Sequence, residues 1–164
     1  MSLFTRLLDA WREWRLPRSH KRRIRAARRT LARIEGWDAP RIFGYLRKVD
    51  PLMFEELILE SFARGGCRVR RNRRYSGDGG IDGHVWWDGG WGPVQCKRYS
   101  AHINPAHVTD FAAVLRQRRA PIGLFVHTGR TGPASRESAA NACITIISGQ
   151  RLIDLLRAAP DRPP

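Results

Sequence analysis

"GDGGIDGHVWWDGGWGPVQCKRYS", residues 77–100, sets two strand-like runs on either side of a glycine-rich turn. "IDGHVWW" and "PVQCKRY" carry the β-branched and aromatic residues of strands, and "DGGWG" between them is turn chemistry, so a hairpin is expected. Side chains alternate along a strand, so Gln95 and Lys97 point to one face and Cys96 to the other. With "DGGW" as a four-residue loop, Trp87 faces Gly92 and Asp82 faces Lys97, and opposite residues share a face. That face then gathers Asp82, Gln95 and Lys97. The plain reading is the wet side of a half-buried hairpin. The chemical reading is a carboxylate and a carboxamide oxygen beside an ammonium group, a set suited to cutting a phosphodiester. Hard oxygen donors suit Mg²⁺, which polarises phosphoryl oxygens and acidifies water. An ammonium group holds the phosphate and answers its developing charge. The register decides between the two, because a one-residue slip sends one strand's set to the opposite side.

Upstream, Asp50-Pro51 is an N-cap followed by proline at the first helical position. The helix "PLMFEELILESFARGG" buries Phe54, Leu57, Ile58 and Phe62 and stops at Gly65-Gly66. Glu55 then stands either at the rim of the hairpin site, bound to the metal directly or through water, or on the helix surface, where the dipole favours an acid near the N-terminus. A short strand at 67–71 and a basic loop join this helix to the hairpin. Downstream come a helix capped by Asn104, the apolar strand "PIGLFVHT", the helix "PASRESAANA", the strand "CITIIS" and the helix "GQRLIDLLRAA". The apolar run through Val126 marks a central strand covered on both faces. The order αβββαβαβα predicts an α/β domain over 49–158, a mixed central sheet flanked by helices, with a loose tail at 159–164.

The 164 residues carry a net charge of +15, unevenly spread. Residues 1–48 hold 14 Lys/Arg against 4 Asp/Glu, marking a basic helical extension on a more balanced domain. Helical periods run through Phe4, Leu7, Leu8, Trp11 and Trp14, then through Ile24, Ala27, Leu31 and Ile34, and a third short helix spans about 40–49. Two uses compete for this extension: a basic arm that tracks a DNA backbone or packs beside the domain, and an interfacial membrane anchor. No apolar run approaches the roughly 20 residues that span a bilayer. Three widely spaced cysteines offer neither a zinc pattern nor a disulfide framework, which suits a reducing cytoplasm.

"FEELIL", "GDGGIDG", "VQCKRY", "GLFVHTG" and "ISGQRLIDLL" resemble the successive blocks of Mrr-type restriction endonucleases, members of the PD-(D/E)xK nuclease superfamily, over about residues 50–157. The resemblance implies the αβββαβ restriction-endonuclease-like core and hydrolysis of DNA with Mg²⁺, for which Mn²⁺ would substitute. It implies a metal held by Asp82, by Gln95 in a D…QxK variant of the usual Glu-x-Lys, by the Cys96 backbone carbonyl and by the helix acid Glu55, with Lys97 catalytic. It also implies a restriction or defence use near the nucleoid. His127 departs from the pattern, standing where many relatives carry a small hydroxyl residue. Residues 1–48 lie outside the resemblance, and no full-size second domain for reading modified DNA accompanies it, so dependence on methylation is not carried over.

Asp78 is a plain turn residue or part of the site, and within the site a support role is preferred over direct metal ligation. The run at 68–75 is a solvated strand and loop or, given its position, a contact to the DNA backbone through Arg68, Arg70, Arg71, Arg73 and Arg74, with Arg98 on the return strand. His84 shares the face of Asp82. Trp86, Trp87 and Trp91 read as hairpin packing before base stacking. DNA is the expected partner, and a homodimer would let both strands be cut. The competing functions are a structure-specific repair or junction nuclease and an inactive DNA-binding or membrane-associated protein on the same fold.

Overall fold

The hairpin turns on two residues, not four. In the computed structural model, which describes residues 16–72 and 79–158, Trp87 pairs with Gly90 and Gly83 with Val94. Asp88 and Gly89 make the turn with φ of 46° and 81°. A two-residue Asp-Gly turn with both φ positive matches the right-handed twist of the flanking strands, whereas a four-residue loop does not need it. The pairing therefore moves by two residues from the expected register, and it ends at Gly83 opposite Val94, so Asp82 does not face Lys97 across the ladder. A two-residue shift preserves the alternation within the paired stretch, but the alternation does not run on past Gly83, because Ile81 and Val85 pack into the cores on opposite faces of the sheet.

Helix α1 (Arg18–Ile34) leads through α2 (Ala39–Leu46) into α3 (Pro51–Arg64). The strands β1 (Val69–Arg71), β2 (Gly83–Trp87) and β3 (Gly90–Lys97) follow, then α4 (Pro105–Gln117), β4 (Gly123–His127), α5 (Pro133–Ala140), β5 (Ile144–Ile147) and α6 (Gly149–Leu156). The five strands lie in the order β1-β2-β3-β4-β5. The first two pairings are antiparallel and the last two parallel. Parallel neighbours require crossovers, and α4 and α5 supply them. The fold is an α/β mixed sheet flanked by helices, as expected. The first helix expected from the sequence, near residues 3–15, lies outside the described residues.

Caps define the helix that matters most here. Asp50 accepts a hydrogen bond from the Met53 N–H at 3.1 Å, and Pro51 sits where no backbone donor is needed. Asn104 caps α4 in the same way through Ala106 N. Two cores result, one on each face of the sheet. On one face, α3 and α6 bury Phe54, Leu57, Ile58, Phe62, Leu152 and Leu156 against Val85, Val94, Leu124 and Val126. On the other, Phe111 and Leu115 of α4 pack with Phe125 and Ile144. β4 is buried along its whole length, which is why its sequence is almost continuously apolar.

Helix α1 packs along α3, burying His20, Ile24, Ala27, Leu31 and Ile34. Three of these belong to the same core as α3. Beneath that contact lies a buried ion cluster. Arg71 donates to Glu56 at 2.6 Å and to Glu60 at 2.7 Å, and Arg28 of α1 donates to Glu60 at 2.7 Å. Each carboxylate is thereby held by charge-assisted hydrogen bonds, the arrangement buried charges require. No described helix is long and apolar enough to cross a membrane.

Candidate active site

The site forms where β2 and β3 leave the hairpin ladder. The Asp82 N–H still donates to Val94 O at 2.8 Å, the last rung before the chain turns away. Beyond it the Asp82 side chain swings to the neighbouring strand and accepts from the Cys96 N–H at 2.6 Å. Gln95 and Lys97 project from β3 on the face opposite Cys96. Gln95 is buried, and its Nε2 donates to Gly80 O at 2.9 Å. Gly80 has φ +77°, and a Cβ there would lie 2.4 Å from Gln95 Nε2. Only glycine fits this close approach in that backbone conformation.

The helix that carries Glu55 is pressed onto β2. A Cβ on Gly83 would meet Leu59 at 2.9 Å and the Arg70 carbonyl at 3.0 Å, so the bare backbone of Gly83 lets α3 sit this low on the sheet. One pocket is consequently lined by Glu55, Asp82, Gln95, Cys96 and Lys97 together. Of the two positions open to Glu55, this is the site rim.

The electrostatics are those of a site short of positive charge. Burial first, and the neighbouring Asp82 second, push Glu55 up to about 8. Burial likewise raises Asp82 to about 6, against the opposing pull of the Cys96 N–H and of Lys97. Burial, then the same two carboxylates, push the Cys96 thiol well above its ordinary range, which makes it an unreactive wall. Gln95 Oε1 is buried and has no hydrogen-bond partner. Among the described residues no group of three or more His, Cys, Asp and Glu side chains forms a metal cluster. The donors present are two carboxylates, an unpaired amide oxygen and a strand-end carbonyl. That set fits a hard divalent ion that retains water, and does not fit a soft or imidazole-seeking one.

The remaining expected residues fall elsewhere. Asp78, Arg73 and Arg74 lie outside the described residues. Arg71 is a correction: its side chain is 10% exposed and turned inward onto Glu56 and Glu60, so it is a structural cation and not a DNA contact. The odd side of a three-residue strand faces α3, which the basic run in the sequence concealed. Arg68 and Arg70 lie over the indole rings of Trp86 and Trp91 on the other face, Arg70 at 3.9 Å from the Trp91 centroid. His84 lies on that same face, opposite Arg70 on β1 and Pro93 on β3. Trp87 packs edge-on against Phe62, as hairpin packing predicts. Arg98 reaches the carbonyls of Arg47 and Val49, tying the end of β3 to the entrance of α3.

Two residues of the pocket wall carry no sequence signal. Tyr99 and His107 line it, with the Tyr99 hydroxyl hydrogen-bonded to His107 Nδ1. Tyr99 lies two residues beyond the end of β3 and His107 sits in the first turn of α4, so the start of the crossover brings them together. His127 is fully buried, accepts from the Gly129 N–H at 3.1 Å and bonds Thr131 Oγ1 at 3.0 Å. Burial lowers it to about 4, so it is a neutral hydrogen-bonding strut.

Comparison with solved structures finds the MspJI restriction endonuclease in complex with a 27-mer oligonucleotide, at 22% identity and a TM-score of 0.46. The match covers 87% of this chain, which spans a third of that chain's length. No curated protein matches the chain. The family model for the Mrr catalytic domain, described as a restriction endonuclease, matches residues 46–156. That stretch runs from the end of α2 through α6 and takes in α3, the hairpin and both crossovers, so the chain belongs to the Mrr-type restriction endonuclease family.

Proposed function

We propose that this chain is a divalent-metal-dependent DNA endonuclease that hydrolyses the phosphodiester by direct attack of water. The observation that carries the reading is the convergence of Glu55, Asp82, Gln95 and Lys97 on one pocket, two of them raised carboxylates and one with an unpaired buried oxygen. Asp82, Gln95 Oε1, the Cys96 carbonyl and Glu55 are the groups that would hold Mg²⁺, with Mn²⁺ as a substitute. The ion would polarise the phosphoryl oxygen and lower the pKa of nearby water.

The rest is work for the chain's own residues. Asp82, which lines the pocket, is fixed by the Cys96 N–H through one oxygen, leaving the other as the oxygen that would meet the metal. Gln95 is held through its Nε2 by Gly80 O, which leaves its buried amide oxygen without a protein partner and free to meet the metal. Lys97 supplies the positive charge that holds the scissile phosphate and answers the charge that grows as water attacks. The buried Phe54 and half-buried Tyr99 wall the pocket and limit bulk water around these groups, which strengthens each interaction.

The test is a nicking assay with Mg²⁺ or Mn²⁺ on unmethylated, methylated and branched DNA, run with wild type, Asp82→Ala and Lys97→Ala. Cleavage by wild type and loss in both variants is expected. Binding without cleavage of any of the three substrates would sink the enzyme reading. Full activity in both variants would sink the site assignment, and strict preference for branched DNA would move the function to junction or repair processing.

A further inference from the structure

Helix α1 lies outside the 46–156 family match, and its two sides do different jobs. His20, Ile24, Ala27, Leu31 and Ile34 are buried against α3. Arg18, Arg22, Arg25 and Arg29 are exposed. At about 100° per residue these four fall within a sector roughly 60° wide, directly opposite the buried one. Arg33 continues the line and stacks over Trp37 and Tyr45 at 5.7 and 5.4 Å. The helix contains no acidic residue, and no carboxylate among the described residues pairs with the four exposed arginines. From Arg18 to Arg33 the stripe is about 22 Å long at about 1.5 Å per residue.

We propose that this stripe is a second, sequence-independent anchor for duplex DNA, separate from the cleavage pocket. The proposal rests on the nuclease reading of that pocket and adds a partner surface to it. Three features favour a phosphate backbone. The charges are guanidiniums, whose planar fork matches phosphate oxygens two at a time. The helix's apolar side is already buried on α3, so no apolar face remains for insertion into a lipid interface. The stripe is also held rigidly to the catalytic body. Arg28 bonds Glu60 on α3, the helix that carries Glu55, and His20 lines a small cavity shared with Glu55 and Asp82. A duplex bound along α1 is thereby tethered to the molecule that cuts it.

The experiment uses the full chain carrying Asp82→Asn, so that binding is read without cleavage. Affinity for a 30-base-pair duplex is measured by fluorescence anisotropy from low to moderate salt. Each phosphate contact contributes about 0.9 to the slope of log K against log salt. Changing Arg18, Arg22, Arg25 and Arg29 together to Gln is expected to flatten the slope by about 3 to 4. The same four changed to Lys should keep the slope. With Asp82 restored, the Gln variant should still cut a duplex too short to reach the stripe at the wild-type rate. An unchanged slope in the Gln variant overturns the proposal, as does an equal flattening in the Lys variant. Loss of binding to phosphatidylserine vesicles with the duplex slope intact also overturns it, assigning the stripe to lipid. If wild type cuts nothing yet the slope falls as expected, the nuclease reading fails and the anchor stands.

Discussion

Helix α3 carries three glutamates that meet two different fates. Glu56 and Glu60 are buried, and both are answered by guanidinium groups at 2.6 to 2.7 Å. Glu55, one residue away, faces the pocket with Asp82, and there the negative charge is left largely unanswered, raising Glu55 to about 8 and Asp82 to about 6. A fold that can neutralise two buried acids so completely has no physical obstacle to neutralising a third. The difference separates charge arranged for stability from charge arranged for a ligand, and perturbed carboxylates in a cleft are the usual mark of the second.

The largest break in this comparison comes from chemistry. Asp82→Ala and Lys97→Ala should each lower the nicking rate by about a thousandfold, with melting temperature changed by only a few degrees. The cluster should do the reverse. Arg71→Ala strands Glu56 and Glu60 as buried, half-answered charges, and a loss of about 3 kcal/mol is expected in urea unfolding. Changing Arg71, Glu56 and Glu60 together to apolar residues of similar size should recover most of that loss, because a buried ion cluster stabilises little beyond its own desolvation.

A smaller effect of opposite sign is expected from Glu55→Gln. Glu55 has its folded-state pKa above the unfolded value, so the stability of the protonated form is present below about 4.5 and is lost as pH rises through about 8. At pH 7.5 Glu55 is still mostly protonated in the metal-free fold while the unfolded chain is ionised, so the group is a burden on the fold. The amide should raise the melting temperature by about 2–4 °C, roughly 1 kcal/mol for a half-exposed group, while cleavage falls. Titrating Mg²⁺ should raise the wild-type melting temperature more than that of the variant. A variant that melts lower than wild type at pH 7.5 would contradict the contrast between the two regions.

The mildest test uses a histidine that belongs to neither region. His127 is neutral in the fold with its pKa lowered to about 4, against 6.5 when exposed. Its contribution is complete above about 6.5 and is lost as pH falls towards 4. Wild type should lose on the order of 1–2 kcal/mol between pH 7 and 5 on this account, and His127→Gln should show a flatter profile in urea unfolding. The site carboxylates move stability the other way over that range, so the two contributions are separable by combining His127→Gln with Glu55→Gln.

Much of this molecule is legible along the chain. Asp50-Pro51 and Asn104-Pro105 announce their helices because caps are local chemistry, and "GLFV" announces a doubly covered strand because burial on both faces leaves that run no polar position. Gln95 and Lys97 share a face of β3 whatever the turn length, since alternation depends only on parity, whereas Asp82 lines the same pocket from just before the paired stretch of β2. Arg71 was misread for the corresponding reason. A run of arginines says nothing about which one turns inward, and the acids that claim it lie 15 and 11 residues back on another element.

Composition, caps, apolar period and the "GDGGIDG…VQCKRY" blocks therefore determine the fold class, the family and the identity of the candidate site residues, because each of these is carried by near neighbours in sequence. Tertiary structure alone decided the rest. It set Glu55 against Asp82 by letting α3 rest on a bare Gly83, left Gln95 Oε1 without a partner, and joined Tyr99 to His107 at the start of a crossover. It also turned one side of α1 into core and the other into an uncovered row of arginines. These outcomes depend on which distant surfaces exclude water from one another, and no local pattern encodes that.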